Sequence, residues 1–108
     1  MSSTTVTRGN SHETFYIGPS LTPVSVASYT SAAQTFNIAG FQTSDIVQAV
    51  GLQGAQTAGI IIAECDVLNP NVLTVQFANT TSGAVVPAAG IYVFQVTRVE
   101  GTLPTTAV

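Results

Sequence analysis

From Val24 onward apolar and polar residues alternate with a period of two, and Gly, Pro, Asn or Ser interrupts the alternation every 8 to 12 residues. Successive side chains of a strand point to opposite faces, so this pattern reads as a series of short antiparallel strands. It predicts strands over 24–29, 34–39, 45–50, 59–66, 72–79 and 90–99. In 72–79, Leu73, Val75 and Phe77 fall on one face and Thr74 and Gln76 on the other; in 34–39, Phe36 and Ile38 oppose Thr35 and Asn37. Such strands are half-buried, with one wet face. Two segments differ: Ile60, Ile61 and Ile62 are consecutive, and Tyr92, Phe94 and Val96 alternate with Ile91 and Val93. Apolar on both faces, these strands call for cover from the chain's own N-terminal segment or from another subunit.

Each interruption has a mechanism. Gly40, Gly51, Gly54 and Gly59 permit positive φ, Asn69-Pro70-Asn71 is a tight-turn sequence, and Thr81-Ser82-Gly83 followed by Pro87 makes a longer irregular link. Around Thr43-Ser44-Asp45 a carboxylate or hydroxyl can cap one short turn. Abundant Val, Ile and Thr disfavour longer helices. The expected fold is all-β, an antiparallel β-sandwich of jelly-roll or immunoglobulin-like kind over 23–108, preceded by an extended N-terminal arm, 1–22. The arm is rich in Ser and Thr but contains Thr14-Phe15-Tyr16-Ile17, a short strand. Leaving Phe15, Tyr16 and Ile17 in water costs roughly 1.5–3 kcal/mol each, so the arm is expected to lie on its own domain or on a neighbour.

Charge narrows the function. Of 108 residues, 2 are basic, 5 are acidic and none is Lys, a charged fraction of 6%, where about 25% is usual. A net charge of −3 with no basic stripe argues against nucleic-acid and membrane-surface partners. The longest nearly apolar stretch, 84–94, is broken by Pro87 and Gly90 and falls short of the roughly 18 residues of a bilayer span. The start, Met1 to Arg8, has no basic segment leading into an apolar run, so no secretory signal is expected. With one cysteine, Cys65, neither an intrachain disulfide nor a Cys/His zinc spacing is available.

The groups available for catalysis are His12, Glu13, Asp45, Glu64, Cys65, Asp66 and Glu100. A Cys/His dyad requires Cys65, mid-strand and in phase with Ile61 and Ala63, to meet His12 in the arm; the simpler reading is a small buried hydrophobe. No G-x-S-x-G elbow is present, and no catalytic activity or cofactor is expected. Glu64 and Asp66, two apart on a strand, share a face roughly 7 Å apart. They read as a polar face reached by Arg98, the only cation in the β-domain, in an ion pair that sets register. Asn79-Thr80-Thr81 is a glycosylation sequon that a chain outside the secretory route would not use. The aromatic residues fit the core stripes better than a sugar-stacking platform, and Trp is absent.

The order AQTFNIAGFQTSDIVQAV (33–50), then GIIIAECDVLNPNVLTVQFANTTSGAVVPAAGIYVFQVTRV (59–99), carries a strand ending in an N-T-T-x-G turn, a Pro-containing link and a closing G-x-Y-x-F-x-V-x-R strand. Over 24–99 this resembles small β-domains among the structural proteins of tailed bacteriophages, particularly capsid decoration (cement) and head-fibre proteins. The resemblance implies a non-enzymatic virion protein, a homotrimer on the outer capsid surface that braces the major capsid protein. Two-faced apolar strands, an apolar-bearing arm and lysine-free edges independently favour an oligomer. Thr14, Phe15, Tyr16 and Ile17 are the expected capsid contact, and Ile60, Ile61, Ile62, Ile91 and Val93 the expected subunit packing. The rival reading is a receptor- or carbohydrate-binding module of a viral fibre, which predicts an exposed aromatic or polar pocket near Gly51–Gly59 or Thr80–Gly90.

Overall fold

The apolar stripes turn inward, and the strands that carry them line up as two antiparallel sheets facing one another. The computed structural model describes residues 12–103, 105 and 106. These form seven strands and no helix: β1 (His12–Ile17), β2 (Ser20–Leu21), β3 (Ser31–Asn37), β4 (Ile46–Gln53), β5 (Ile60–Asn69), β6 (Val72–Asn79) and β7 (Gly90–Val99). One sheet has the order β3–β6–β5. In the other, β7 is central, with β4 along one edge and β1 and β2 in tandem along the opposite edge. The chain is therefore the expected antiparallel sandwich. The order β3–β6–β5 against β4–β7 corresponds to B–E–D against C–F of an immunoglobulin sandwich, with β1 and β2 where that fold has its last strand.

This moves the N-terminal boundary. Residues 12–21 of the expected arm belong to the sheet: His12–Ile17 pairs with Val99–Phe94, Ser20 with Ile91, and the Tyr92 amide donates to the Pro19 carbonyl at 3.0 Å. Pairing satisfies the backbone while Phe15 and Ile17, half-buried, pack on the core, which lowers their cost in water. Residues 1–11 of the expected arm lie outside the described residues. The strand expected over 24–29 does not form either; Val26 alone bridges to Val85. A side chain stands in for a partner strand, as the Gln34 carboxamide accepts from the Val24 amide at 2.8 Å and donates to the Val24 carbonyl at 2.9 Å. Tyr29 takes a positive φ of 52°, and β3 starts at Ser31 instead of 34.

Between the sheets, Leu73, Val75 and Phe77 meet Tyr92, Phe94 and Val96, none more than 1% exposed. Phe77 meets Tyr92 edge-on with centroids 6.1 Å apart, and Tyr92 stacks on Phe94 at 6.5 Å. Each such side chain contributes roughly 1.5–3 kcal/mol on burial. The alternation fails in β5, where a bulge between Ile62 and Glu64 shifts the phase. Ile60, Ile62, Cys65 and Val67 consequently turn inward and Ile61 and Leu68 outward, so Cys65 is out of phase with Ile61. A second bulge, between Ala49 and Gly51, does the same in β4, placing both Val47 and Leu52 against the core.

At one end of the sandwich two side-chain amides tie the links together. Asn79, 2% exposed, donates to Val26 O at 3.0 Å and Gly83 O at 2.9 Å, and accepts from the Thr81 amide at 2.9 Å and hydroxyl at 2.7 Å. All four of its hydrogen-bonding positions are used inside the fold. Gln56 donates to Tyr92 Oη at 3.0 Å and accepts from the Thr57 and Ala88 amides at 2.9 and 2.7 Å. Gly59 is required here: its φ is 87°, and a Cβ would lie 2.2 Å from Thr81 Cγ2. Replacing Asn79 by Ala removes four hydrogen bonds and strands the Thr81 amide, while Val26 O keeps the Val85 amide and Gly83 O the Thr81 hydroxyl, and is expected to cost about 2–3 kcal/mol. Urea denaturation measures this, and a loss below about 1 kcal/mol would contradict the role given to Asn79.

Candidate functional site

The charged side chains concentrate at the end opposite Asn79. Ile46 pairs with Thr97, so Asp45 arrives level with Arg98. Arg98 grips it with two hydrogen bonds, Nε to Oδ1 at 2.9 Å and Nη2 to Oδ2 at 2.8 Å, and Nη2 also donates to Gly40 O at 2.9 Å. The Gln42 amide donates to the same carboxylate at 3.0 Å, closing the turn expected near Thr43-Ser44-Asp45. The Arg98 Cζ lies 5.4 Å from the Phe15 ring centroid, within cation–π range. The Asp45 side chain is fully buried while that of Arg98 is 25% exposed. The Arg98 hydrogen bond pulls the Asp45 carboxyl below its ordinary value, helped by the Gln42 amide and opposed by burial.

This corrects the expected partner. Glu64 and Asp66 lie on the outer face of β5, in the other sheet, and Arg98 does not reach them. They face each other: the Glu64 carboxyl is raised by its hydrogen bond to Asp66 and by that neighbour's charge. Asp45 has no strand-face signature, because its pairing with Arg98 depends on cross-strand register. The usable signal was an acid immediately before a strand that pairs with the segment holding the lone cation.

Among the described residues the remaining titratable side chains fall in separate places. His12 and Glu13 begin β1 and, with Gln42, Ser44, Arg98 and Glu100, border an open concavity of about 720 Å³. Cys65 does not line it but lies where the edges of β4 and β5 approach each other. Burial pushes the Cys65 thiol up to about 11, a backbone hydrogen bond from Ala49 offsetting part of the rise. At neutral pH it is a thiol packed against the core, as the simpler reading has it. Among the described residues no group of three or more His, Cys, Asp or Glu is placed to hold a metal ion.

The outer face of the sheet built on β7, beyond His12 at its end, is neutral over several rows. Its rows across β1, β7 and β4 are Thr14–Thr97–Ile46 and Tyr16–Gln95–Gln48; further along, Val93 lies beside Gly51, and Ile91 between Ser20 and Gln53. None of these residues is charged. Tyr16 is 64% exposed, Ile46 51% and Ile91 41%. Of the expected capsid contact, Thr14 and Tyr16 stand on this face, but Phe15 and Ile17 point inward and pack on the core. Of the expected subunit packing, Ile91 and Val93 stand here, Ile61 stands on the outer face of the other sheet, and Ile60 and Ile62 face the core. β1 extends this sheet at its edge and leaves its outer face open.

Comparison with protein-family models, with curated proteins and with solved structures found no match.

Two outcomes test the charged end. Removing one partner of a buried pair typically costs 3–5 kcal/mol, and with Arg98 partly in water Arg98→Ala is expected to cost about 2–3 kcal/mol in urea unfolding. Because the folded Asp45 carboxyl lies below its unfolded value of about 3.9, its contribution is complete above that pH and is lost as pH falls through the folded value. A stability profile from pH 6 to pH 2 should therefore show an acid loss that is diminished in Asp45→Asn. Separately, Cys65 in the folded chain is expected to react with an aromatic disulfide at pH 8 at least tenfold more slowly than in the urea-unfolded chain. Equal rates would place the thiol outside the core.

Proposed function

We propose that the protein is a non-enzymatic structural protein of a virion, a capsid decoration (cement) protein that assembles as a homotrimer on the outer capsid surface and stabilises the shell of the major capsid protein. The observation that carries this reading is the charge-free outer face of the β1–β7–β4 sheet. A soluble monomer ordinarily protects such a face and its edges with Lys and Glu. Here threonine and glutamine rows alternate with exposed Tyr16, Ile46 and Ile91, a composition that can be desolvated against another protein without burying an unpaired charge.

Size supports shared contacts over a single pairwise interface. Three strands about 4.8 Å apart and ten residues of β7 give a face of roughly 15 by 30 Å. That is below the about 800 Å² per partner of a standard stable complex. Such a surface suits an assembly in which several neighbours each hold the subunit and their contributions combine. Tyr16 and Thr14, on the β1 side, are the assigned capsid contacts, and Ile91 and Val93, on β7, the assigned subunit contacts.

The test is Val93→Lys, an outward-facing substitution compatible with the sandwich. The wild-type chain is expected to scatter as a trimer and to co-sediment with heads lacking it, and the variant to be a folded monomer that stays in the supernatant. A wild-type monomer indifferent to heads, or a variant that still assembles and binds, would overturn the proposal.

A further inference from the structure

On the opposite side of the sandwich, the aromatic ring least accounted for by the fold is that of Tyr29. It is 70% exposed and takes no part in the core, yet its φ is 52°, a conformation that Gly or Asn adopts with less strain. The turn is held firmly. The Tyr29 amide donates to Thr81 O at 3.2 Å, the Thr30 hydroxyl to Ala27 O at 2.8 Å, and the Asn79 amide to Thr30 O at 2.9 Å. A bulky side chain at a strained position that packing does not require is a reason to look for a ligand.

The ring borders a shallow, open depression lined by Thr30, Ser31, Ala78, Asn79 and Thr80. Its hydroxyls are oriented by the protein. Thr30 Oγ1 and Thr80 Oγ1 each donate to a backbone carbonyl, at 2.8 and 2.9 Å, so each offers lone pairs outward. Ser31 Oγ accepts from Gln76 Nε2 at 3.0 Å and keeps its own proton to give. The Asn79 carboxamide is fully engaged within the fold. No lining residue carries a charge, which disfavours phosphate-bearing and other ionic ligands.

We propose that Tyr29, with Thr30, Ser31 and Thr80, forms a binding site for a neutral saccharide. One face of a pyranose ring stacks on the phenol ring, and its hydroxyls donate to the two threonines and accept from Ser31. An aromatic wall supplies area against the apolar C–H face of the sugar, while hydroxyls of fixed orientation read its rim. The site lies on the three-stranded sheet, with Ser31 paired to Ala78, so it faces away from the surface assigned to assembly. It is independent of that reading, and a chain docked through the β7 sheet would present it to solvent. One site of this shallowness binds weakly, and repetition over many copies raises the avidity.

The experiment probes the full-length chain on an array of neutral and acidic glycans, followed by saturation-transfer NMR with the best neutral monosaccharide. Tyr29→Asn removes the ring at a position where Asn tolerates the φ, and Tyr29→Phe keeps the ring. The wild-type chain and Tyr29→Phe are expected to bind neutral glycans and transfer saturation to sugar ring protons. Tyr29→Asn is expected to lose at least fivefold in binding while its melting temperature and oligomeric state stay unchanged. No binding by the wild-type chain, binding confined to acidic glycans, or undiminished binding by Tyr29→Asn would overturn the proposal. Since Val93→Lys acts on the other face, loss of assembly and loss of glycan binding are read separately.

Discussion

Everything at the charged end of this sandwich depends on where a single guanidinium finds its counter-charge. Arg98 is the only arginine or lysine among the described residues, and its bonds to Asp45 and Gly40 join the end of β7 to the start of β4 and to the link leaving β3. Stacking on Phe15 adds β1 to the same node. Three strands of one sheet and a loop from the other are thus referred to one side chain. In a chain with ordinary charge density, several cations would compete for Asp45 and the pairing would specify little. Among the described residues no other Arg or Lys competes, so the alignment of β4 against β7 is chemically distinct from a slipped one.

With charge gathered at that end and on the Glu64–Asp66 pair, the two broad faces are free to differ. The face on β7 is flat, neutral and partly apolar, and the face on β6 has the acidic pair at one part and the Tyr29 depression at another. A sandwich can present two unrelated surfaces because its core depends only on inward residues, such as Phe77, Tyr92 and Phe94, and is indifferent to outward ones. Binding chemistry and folding chemistry are therefore separable along every strand.

The strands of the core were legible because their periodicity was unbroken: β6 and β7 lie where the alternation of Leu73 to Phe77 and of Tyr92 to Val96 places them. What escaped was set by interactions with no local signature. Residues 24–29 alternate like a strand, but the partner they needed is supplied by the Gln34 and Asn79 carboxamides, and only a single bridge survives. Cys65 was put out of phase by a bulge whose residues, Ala63 and Glu64, look like any strand residues. For the site, the outward positions of Tyr16, Ile91 and Val93 follow from period two once the inward stripe is known. Asp45 and Tyr29 do not, since one depends on cross-strand register and the other on a backbone conformation that aromatic residues seldom adopt.

The bulges in β4 and β5 carry one further meaning. Both interrupt edge strands, at the seam where the two sheets approach, and the amide of Gln34 covers backbone beside a third edge. Most soluble proteins keep such edges from recruiting foreign strands with lysines, a defence that weakens as salt screens the charge. Irregular backbone and a neutral carboxamide have no such dependence. What guards these edges is the shape of the backbone, which salt does not screen.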